Sequence, residues 1–238
     1  MVSVSLTMQA NLANMTWPYV VFPDFQVQGI LSNQVTGAST LTLHPLVQHQ
    51  DRVQYENFTV HHHQWLERAH MYNDQVHPQL YNHNEENTAD EAKEVPISMS
   101  FMASWNESGI TPYIWRYDQG LQQRVPDYQH DMYFPMWQQA PAEDYTPTTN
   151  MNFADLGDTL EQVVTGMIQA SRPSLTAVGE GAYLPSSYKQ HNDVVMDGTP
   201  RTFLLQPVYD NLLENRQMVA FLSASMRYVF CVVHVSCW

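Results

Sequence analysis

Cysteine is nearly absent from this 238-residue sequence: only Cys231 and Cys237 occur, both among the last eight residues. No disulfide framework staples the body of the chain, so its fold must rest on a buried core. The two residues can pair with each other or stay as buried thiols. Basic side chains are also scarce, 10 against 24 acidic ones, for a formal net charge of -14. A surface of that sign repels phosphate backbones, and no Lys/Arg stripe interrupts it, which excludes nucleic acid as the natural partner. Docking on an anionic membrane leaflet is disfavoured for the same reason. Long apolar runs are missing too. No stretch reaches the roughly 20 residues that span a bilayer; the nearest, 218–238, contains Arg227 and His234 and reads first as a strand. Residues 1–9 lack the basic and apolar regions of a signal peptide. The expectation is either a soluble chain or a piece of something larger.

Apolar material is plentiful. Hydrophobic residues make up 44% and aromatic ones 12%, with 14% charged, the reverse of the balance that keeps a chain disordered. The length suits one large or two small domains. Residues 3–16 read as the tail of a helix that Trp17-Pro18 ends, because proline disfavours helical geometry in the residue before it. Asp24 is placed to cap a second helix running to Thr36, with Gly37 as its stop. Thr40–Leu43 alternates polar and apolar, as a half-buried strand does. A long helix is expected over 47–71, with Val53, Phe58, Trp65 and Leu66 among its apolar positions. Residues 73–94 are acidic and interrupted by proline, a surface loop. Beyond it, 97–102, 110–117, 130–137, 202–209 and 217–225 read as strands. Residues 155–170 read as one amphipathic helix, with Leu156, Leu160, Val163, Val164 and Met167 on one face. Helices first and strands later indicate an α+β fold. It divides into a helical part (1–72), an acidic loop (73–94), a β-rich part (95–226) and a divergent tail (227–238).

Few clusters point to chemistry. His63, Glu67 and His70 fall at i, i+4 and i+7 and would share a face of the expected 47–71 helix, the arrangement of a metal site in a hydrolase. Solvated histidines on a polar face are the commoner explanation. Phe153-Ala154-Asp155-Leu156-Gly157 looks superficially like the metal-binding signature of nucleotide cyclase catalytic domains. Its Thr/Pro-rich approach cannot be a buried strand, so Asp155 fits better in the first turn of a helix. Gly179-Glu180-Gly181 lacks the third glycine of a dinucleotide loop. No cofactor is implied. Trp115, Tyr117, Tyr133 and Trp137 lie on or beside strands of the second half, where aromatic walls could contact a small ligand or fill a core. Read as ligand contacts, they predict that Trp137→Ala weakens a response more than it lowers stability. Asn14, Asn57 and Asn106 head N-x-S/T sequons and permit glycosylation.

The order of short segments adds a resemblance. Trp17-Pro18-Tyr19-Val20, Phe22-Pro23-Asp24-Phe25, His44-Pro45-Leu46-Val47, Arg52, Tyr55-Glu56 and Gln64-Trp65 resemble the start of a CHASE-type sensor. Tyr133-Phe134-Pro135-Met136-Trp137-Gln138-Gln139-Ala140-Pro141 is similar to a segment of the receptor guanylate and adenylate cyclases of unicellular algae. So are 171–175 and 205–210. The resemblance covers about residues 14–226 and fails from Arg227 onward, where the chain reads as truncated. It implies an extracytoplasmic PAS-like sensor held between membrane helices that lie outside this sequence. An unknown small molecule would act on a separate cyclase domain, and a homodimer through the stalk helix is implied as well. The rival readings are a soluble remnant of a receptor gene and the His/Glu metal hydrolase.

Overall fold

A computed structural model describes residues 2–76, 111–142 except 119 and 122, 148–170 except 157, 176–178, and 201–227 except 214. In chain order its elements are α1 (Val2–Leu12), α2 (Phe25–Thr36), β1 (Thr40–Pro45), β2 (Val47–Gln48), α3 (Arg52–His61), α4 (Gln64–Val76), β3 (Trp115–Asp118), β4 (Gln123–Pro126), β5 (Met132–Tyr133), β6 (Gln138–Ala140), α5 (Asp158–Ala170), β7 (Thr176–Val178), β8 (Arg201–Tyr209) and β9 (Met218–Arg227). Helices and antiparallel sheets together make the fold α+β.

The main sheet has five strands in the order β6-β1-β9-β8-β7, every neighbouring pair antiparallel. Counted along the chain, that order is 2-1-5-4-3, so the first and last strands lie side by side at the centre. Opposed residues include Leu43↔Leu222, His44↔Phe221 and Leu205↔Ser223. Side chains alternate between two covered faces. Leu41, Leu43, Ala220 and Leu222 join Leu6 and Ala10 of α1, Phe25 of α2, and Phe22 and Trp137 in one core cluster. Phe203, Leu205 and Phe221 join Val164 and Met167 of α5, with Phe134 and Phe153, in a second. Because both faces are covered, Leu41–Pro45 of β1 are all buried, which corrects the half-buried strand expected from alternation. Thr42 and His44 are polar residues of a central strand.

Helix ends follow local chemistry. α1 stops at Leu12, four residues before the expected end. Asn14 takes the left-handed conformation (φ 51°), and the Met15 N–H closes on the Ala10 carbonyl at 2.9 Å. Gly37 (φ 72°) ends α2 as expected, its N–H donating to Asn33 O. Asp24 precedes α2 but makes no side-chain cap bond.

The long helix expected over 47–71 does not form as one piece. Val47 instead pairs with Tyr133 in the β2–β5 ribbon, a 3₁₀ turn follows at His49–Asp51, and the helix breaks at His62–His63. At that break the ring Nδ1 of His62 bonds to Phe58 O at 3.0 Å and that of His63 to Val60 O at 2.7 Å. The Phe58 carbonyl also accepts the His62 N–H, as in a continuing helix, whereas the Val60 carbonyl, which a continuing helix would have used, is taken by the His63 ring. Val53, expected to be buried, is 77% exposed; α3 buries Arg52, Tyr55 and Thr59 instead.

The expected strand at 110–117 forms as β3, paired with β4 in a hairpin. That at 130–137 shortens to β5 before β6 begins. The expected strand at 97–102, most of the 73–94 loop and the tail with Cys231 and Cys237 lie outside the described residues. β8 and β9 match the expected strands within two residues.

Candidate functional site

Between β1 and β6 the chain makes a detour through β2, α3, α4, β3, β4 and β5. Its own small core is Val47, Tyr55, Ile114 and Tyr133. On the edge of that core sits a polar cluster centred on Arg52. The first turn of α3 carries Arg52 inward, and Glu56 follows one turn later on the same face. Glu56 Oε1 accepts from Arg52 Nε at 2.7 Å and lies 2.7 Å from Nη2; it also accepts the Ile114 N–H at 2.8 Å. The ion pair thereby clamps α3 to the residue that precedes β3. Arg52 Nη1 is buried and has no hydrogen-bond partner. Its guanidinium carbon lies 3.9 Å from the ring centre of Tyr128 and 5.3 Å from that of Tyr133, a cation held between two aromatic rings.

The Tyr133 hydroxyl lies 2.9 Å from His49 Nδ1, and that nitrogen is 3.2 Å from His130 O. Burial raises the Tyr133 pKa above the usual phenol value and Arg52 opposes the rise, so the hydroxyl stays protonated at neutral pH. Asp127 is fully buried. Its carboxylate accepts from Asn152 Nδ2 at 2.7 Å and from the Gln129 N–H at 3.2 Å, and lies 3.4 Å from His130 Nε2. Burial pushes the Tyr55 hydroxyl well above its ordinary value, and that oxygen, too, has no partner. The Arg52 Nη1 is thus an unpaired polar atom beside two aromatic rings, one of them that of the exposed Tyr128.

The four aromatic residues expected to line a pocket do not meet in one place. Trp137 is fully buried in the first core cluster, with ring contacts to Tyr55, Phe58 and Trp65, and its indole N–H donates to Val20 O at 2.7 Å. Trp115 is also buried; its indole N–H donates to Thr149 O at 2.8 Å, and Arg124 lies over its ring. Tyr133 belongs to the polar cluster. Tyr117 lies in β3 opposite Arg124, and its side chain is outside the described residues.

His63, Glu67 and His70 do not share one helix, because His63 sits in the turn before α4 and spends Nδ1 on Val60 O. Among the described residues, no group of three His, Cys, Asp or Glu side chains is arranged to hold a metal. Phe153–Leu156 forms a 3₁₀ turn leading toward α5, not the strand of a cyclase signature. Asn14 is exposed in its turn. Asn57 is exposed on α3, with the Thr59 of its sequon buried; Asn106 lies outside the described residues. No described helix is long and apolar enough to cross a membrane.

Arg52, Glu56, His49 and Asp127 were not singled out as site residues from sequence. The Arg52/Glu56 spacing of four on a helix was the available signal. Asp127 and His49 lie far apart in the chain and in irregular segments, where spacing says nothing. Comparison with protein-family models, curated proteins and solved structures finds no match.

Proposed function

We propose that this chain is the ligand-sensing region of a CHASE-type membrane receptor, working from the extracytoplasmic side, with nucleotide cyclase chemistry supplied by a separate domain. The observation that supports the reading is a five-stranded antiparallel sheet with helices packed against it, the mixed α+β architecture that the resemblance implies. It is compatible with the segment resemblance over residues 14–226. The long detour between the first and second strands carries the buried polar cluster around Arg52, which is the candidate place for a ligand to act. A route outward exists in α1, whose Thr7 hydroxyl donates to Tyr209 O at 2.9 Å on β8. A ligand that moves α3 against the sheet would shift α1 through packed elements, as sensor helices move on binding. In this reading the chain itself catalyses nothing.

The test is to sequence the native transcript outward from both ends of the reading frame. Membrane-spanning segments on either side and a cyclase domain beyond are the expected result. A frame closed on both sides with neither overturns the reading. An endoglycosidase-sensitive mobility shift of the native protein, lost in Asn14→Gln, would support the extracytoplasmic placement independently.

A further inference from the structure

Two histidines stand on the outer side of the Arg52 cluster. His49 lies in the 3₁₀ turn before α3, and His130 in the stretch between β4 and β5. Both meet the ring of Tyr133: His49 stacks on it with centroids 6.0 Å apart, and His130 approaches edge-on at 5.9 Å. His49 is exposed and the His130 side chain is 24% exposed, so water can deliver a proton to either ring. Beneath them lies buried charge. Asp127 is fully buried, and among the described residues its only ion-pair partner is His130, 3.4 Å away. Arg52 spends its charge on Glu56, so one cation stands against two carboxylates and the cluster carries a net negative charge. A carboxylate held out of water needs a countercharge, and a histidine provides one only when protonated.

His49 adds a second dependence on the proton. Its Nδ1 lies 2.9 Å from the Tyr133 hydroxyl and 3.2 Å from the His130 carbonyl oxygen. A bare Nδ1 accepts from the phenol and has nothing to give the carbonyl. A protonated Nδ1 donates to the carbonyl and turns the phenol from donor to acceptor. The other ionisable groups around the pair are Arg52 and Glu56 on α3, Asp51 in the turn of His49, Asp131 beside His130, and Tyr128 over the guanidinium.

We infer that this cluster is a proton-operated latch, and that the input it reads is the acidity of the surrounding solution. With both rings neutral, Asp127 is a buried carboxylate held by Asn152 and the Gln129 N–H alone. One proton on His130 neutralises the cluster and draws that ring onto Asp127. A proton on His49 ties the turn before α3 to the same stretch. Asp127 does not move, because Asn152 holds it and in turn accepts the Phe134 N–H at 2.9 Å. The parts that respond are the two histidine segments, one of which leads directly into α3. As the stimulus of a sensor the proton rests on the receptor reading; the latch itself does not.

The experiment is a nuclear magnetic resonance titration of the whole chain from about pH 8 to about pH 5. It follows the ring protons of His49, His130 and Tyr133 together with the Gln129 amide, which donates to Asp127 at 3.2 Å and reports on that carboxylate. The His130 ring and the Gln129 amide should share one midpoint, and the His49 and Tyr133 rings another. His130→Gln should abolish the Gln129 response, and His49→Gln the Tyr133 response, each with an unchanged circular dichroism spectrum. His49 is exposed, so its variant decides the matter alone should His130→Gln fail to fold. Gln129 and Tyr133 signals that stay flat across the range, or that respond unchanged in the glutamine variants, would overturn the inference. A flat titration leaves the receptor reading standing with some other ligand. A closed transcript leaves the latch standing, so the two fail separately.

Discussion

His44 should make this fold lose stability in mild acid. The residue is fully buried in β1, at the centre of the sheet. Its Nε2 lies 2.7 Å from Ser223 Oγ, its ring stacks on Phe221 with centroids 4.5 Å apart, and Phe153 closes on it at the same distance. Its Nδ1 faces the Phe134 backbone without a hydrogen bond of good geometry. Burial pushes the pKa down to about 3, from 6.5 in the unfolded chain. The native imidazole is therefore neutral throughout the range in which its unfolded counterpart takes up a proton. Stability is complete above the unfolded pKa and falls as the pH drops below 6.5, until the native ring itself protonates near pH 3. The slope approaches 1.4 kcal/mol per unit, so about 2 kcal/mol is lost by pH 5. Set against a total stability of about 5–15 kcal/mol, that is a measurable fraction. Urea unfolding between pH 8 and pH 5 on wild type and His44→Gln isolates the effect, because the other histidines are common to both. The glutamine can still meet Ser223 but cannot titrate, and its poorer packing adds an offset that does not vary with pH. The two profiles should converge by about 2 kcal/mol on going to pH 5. Parallel profiles would refute the neutral buried ring.

Glu56→Ala should cost about 3–5 kcal/mol in urea unfolding, because it strands a buried guanidinium; an effect under about 1 kcal/mol would mean the pair is screened by water. Trp137→Ala, expected from sequence to act on a response, removes an indole from the centre of the first core cluster and should instead lower stability by about 3–5 kcal/mol. A variant with near-native unfolding would return that residue to the ligand. Gly29→Ala places a Cβ against Ala140 Cβ, where α2 crosses β6. Chemical denaturation should show a loss of about 1–3 kcal/mol, the range for overpacking, and an unchanged midpoint would show that the helix can move aside.

Reading by pattern did best where a local rule governs the backbone. Gly37 ended α2, and the β-branched and aromatic runs of β8 and β9 became the longest strands. It did worst where one segment could satisfy two periods. Residues 47–71 hold enough apolar positions to pass for one helix, but Val47 pairs with Tyr133, 86 positions away, and histidine rings close the end of α3. The strand pairing is not visible along the chain, and nothing in a helical period marks where a histidine ring will take a carbonyl. The half-buried reading of β1 failed similarly, because alternation cannot reveal that the polar positions Thr42 and His44 face a second helical layer. The site was harder still. Of Trp115, Tyr117, Tyr133 and Trp137, expected to line a pocket, both tryptophans go into the interior, where their large apolar area is buried and each indole N–H finds a carbonyl. The cluster that formed around Arg52 uses residues from α3 and two irregular stretches, which only the completed fold brings together.

The strand order also governs when this protein can begin to exist. β1 leaves the ribosome early, but one of its two partners, β9, starts at Met218, and the α1 contact to Tyr209 joins residues 202 positions apart. At a synthesis rate of about 5–20 residues per second, β1 waits roughly 10–35 s for that neighbour. Throughout that interval Leu41 and Leu43 have no finished core to enter. Long-range closure of this kind folds slowly and exposes strand edges on the way. Any chain ending before residue 218 would lack the strand that belongs between β1 and β8.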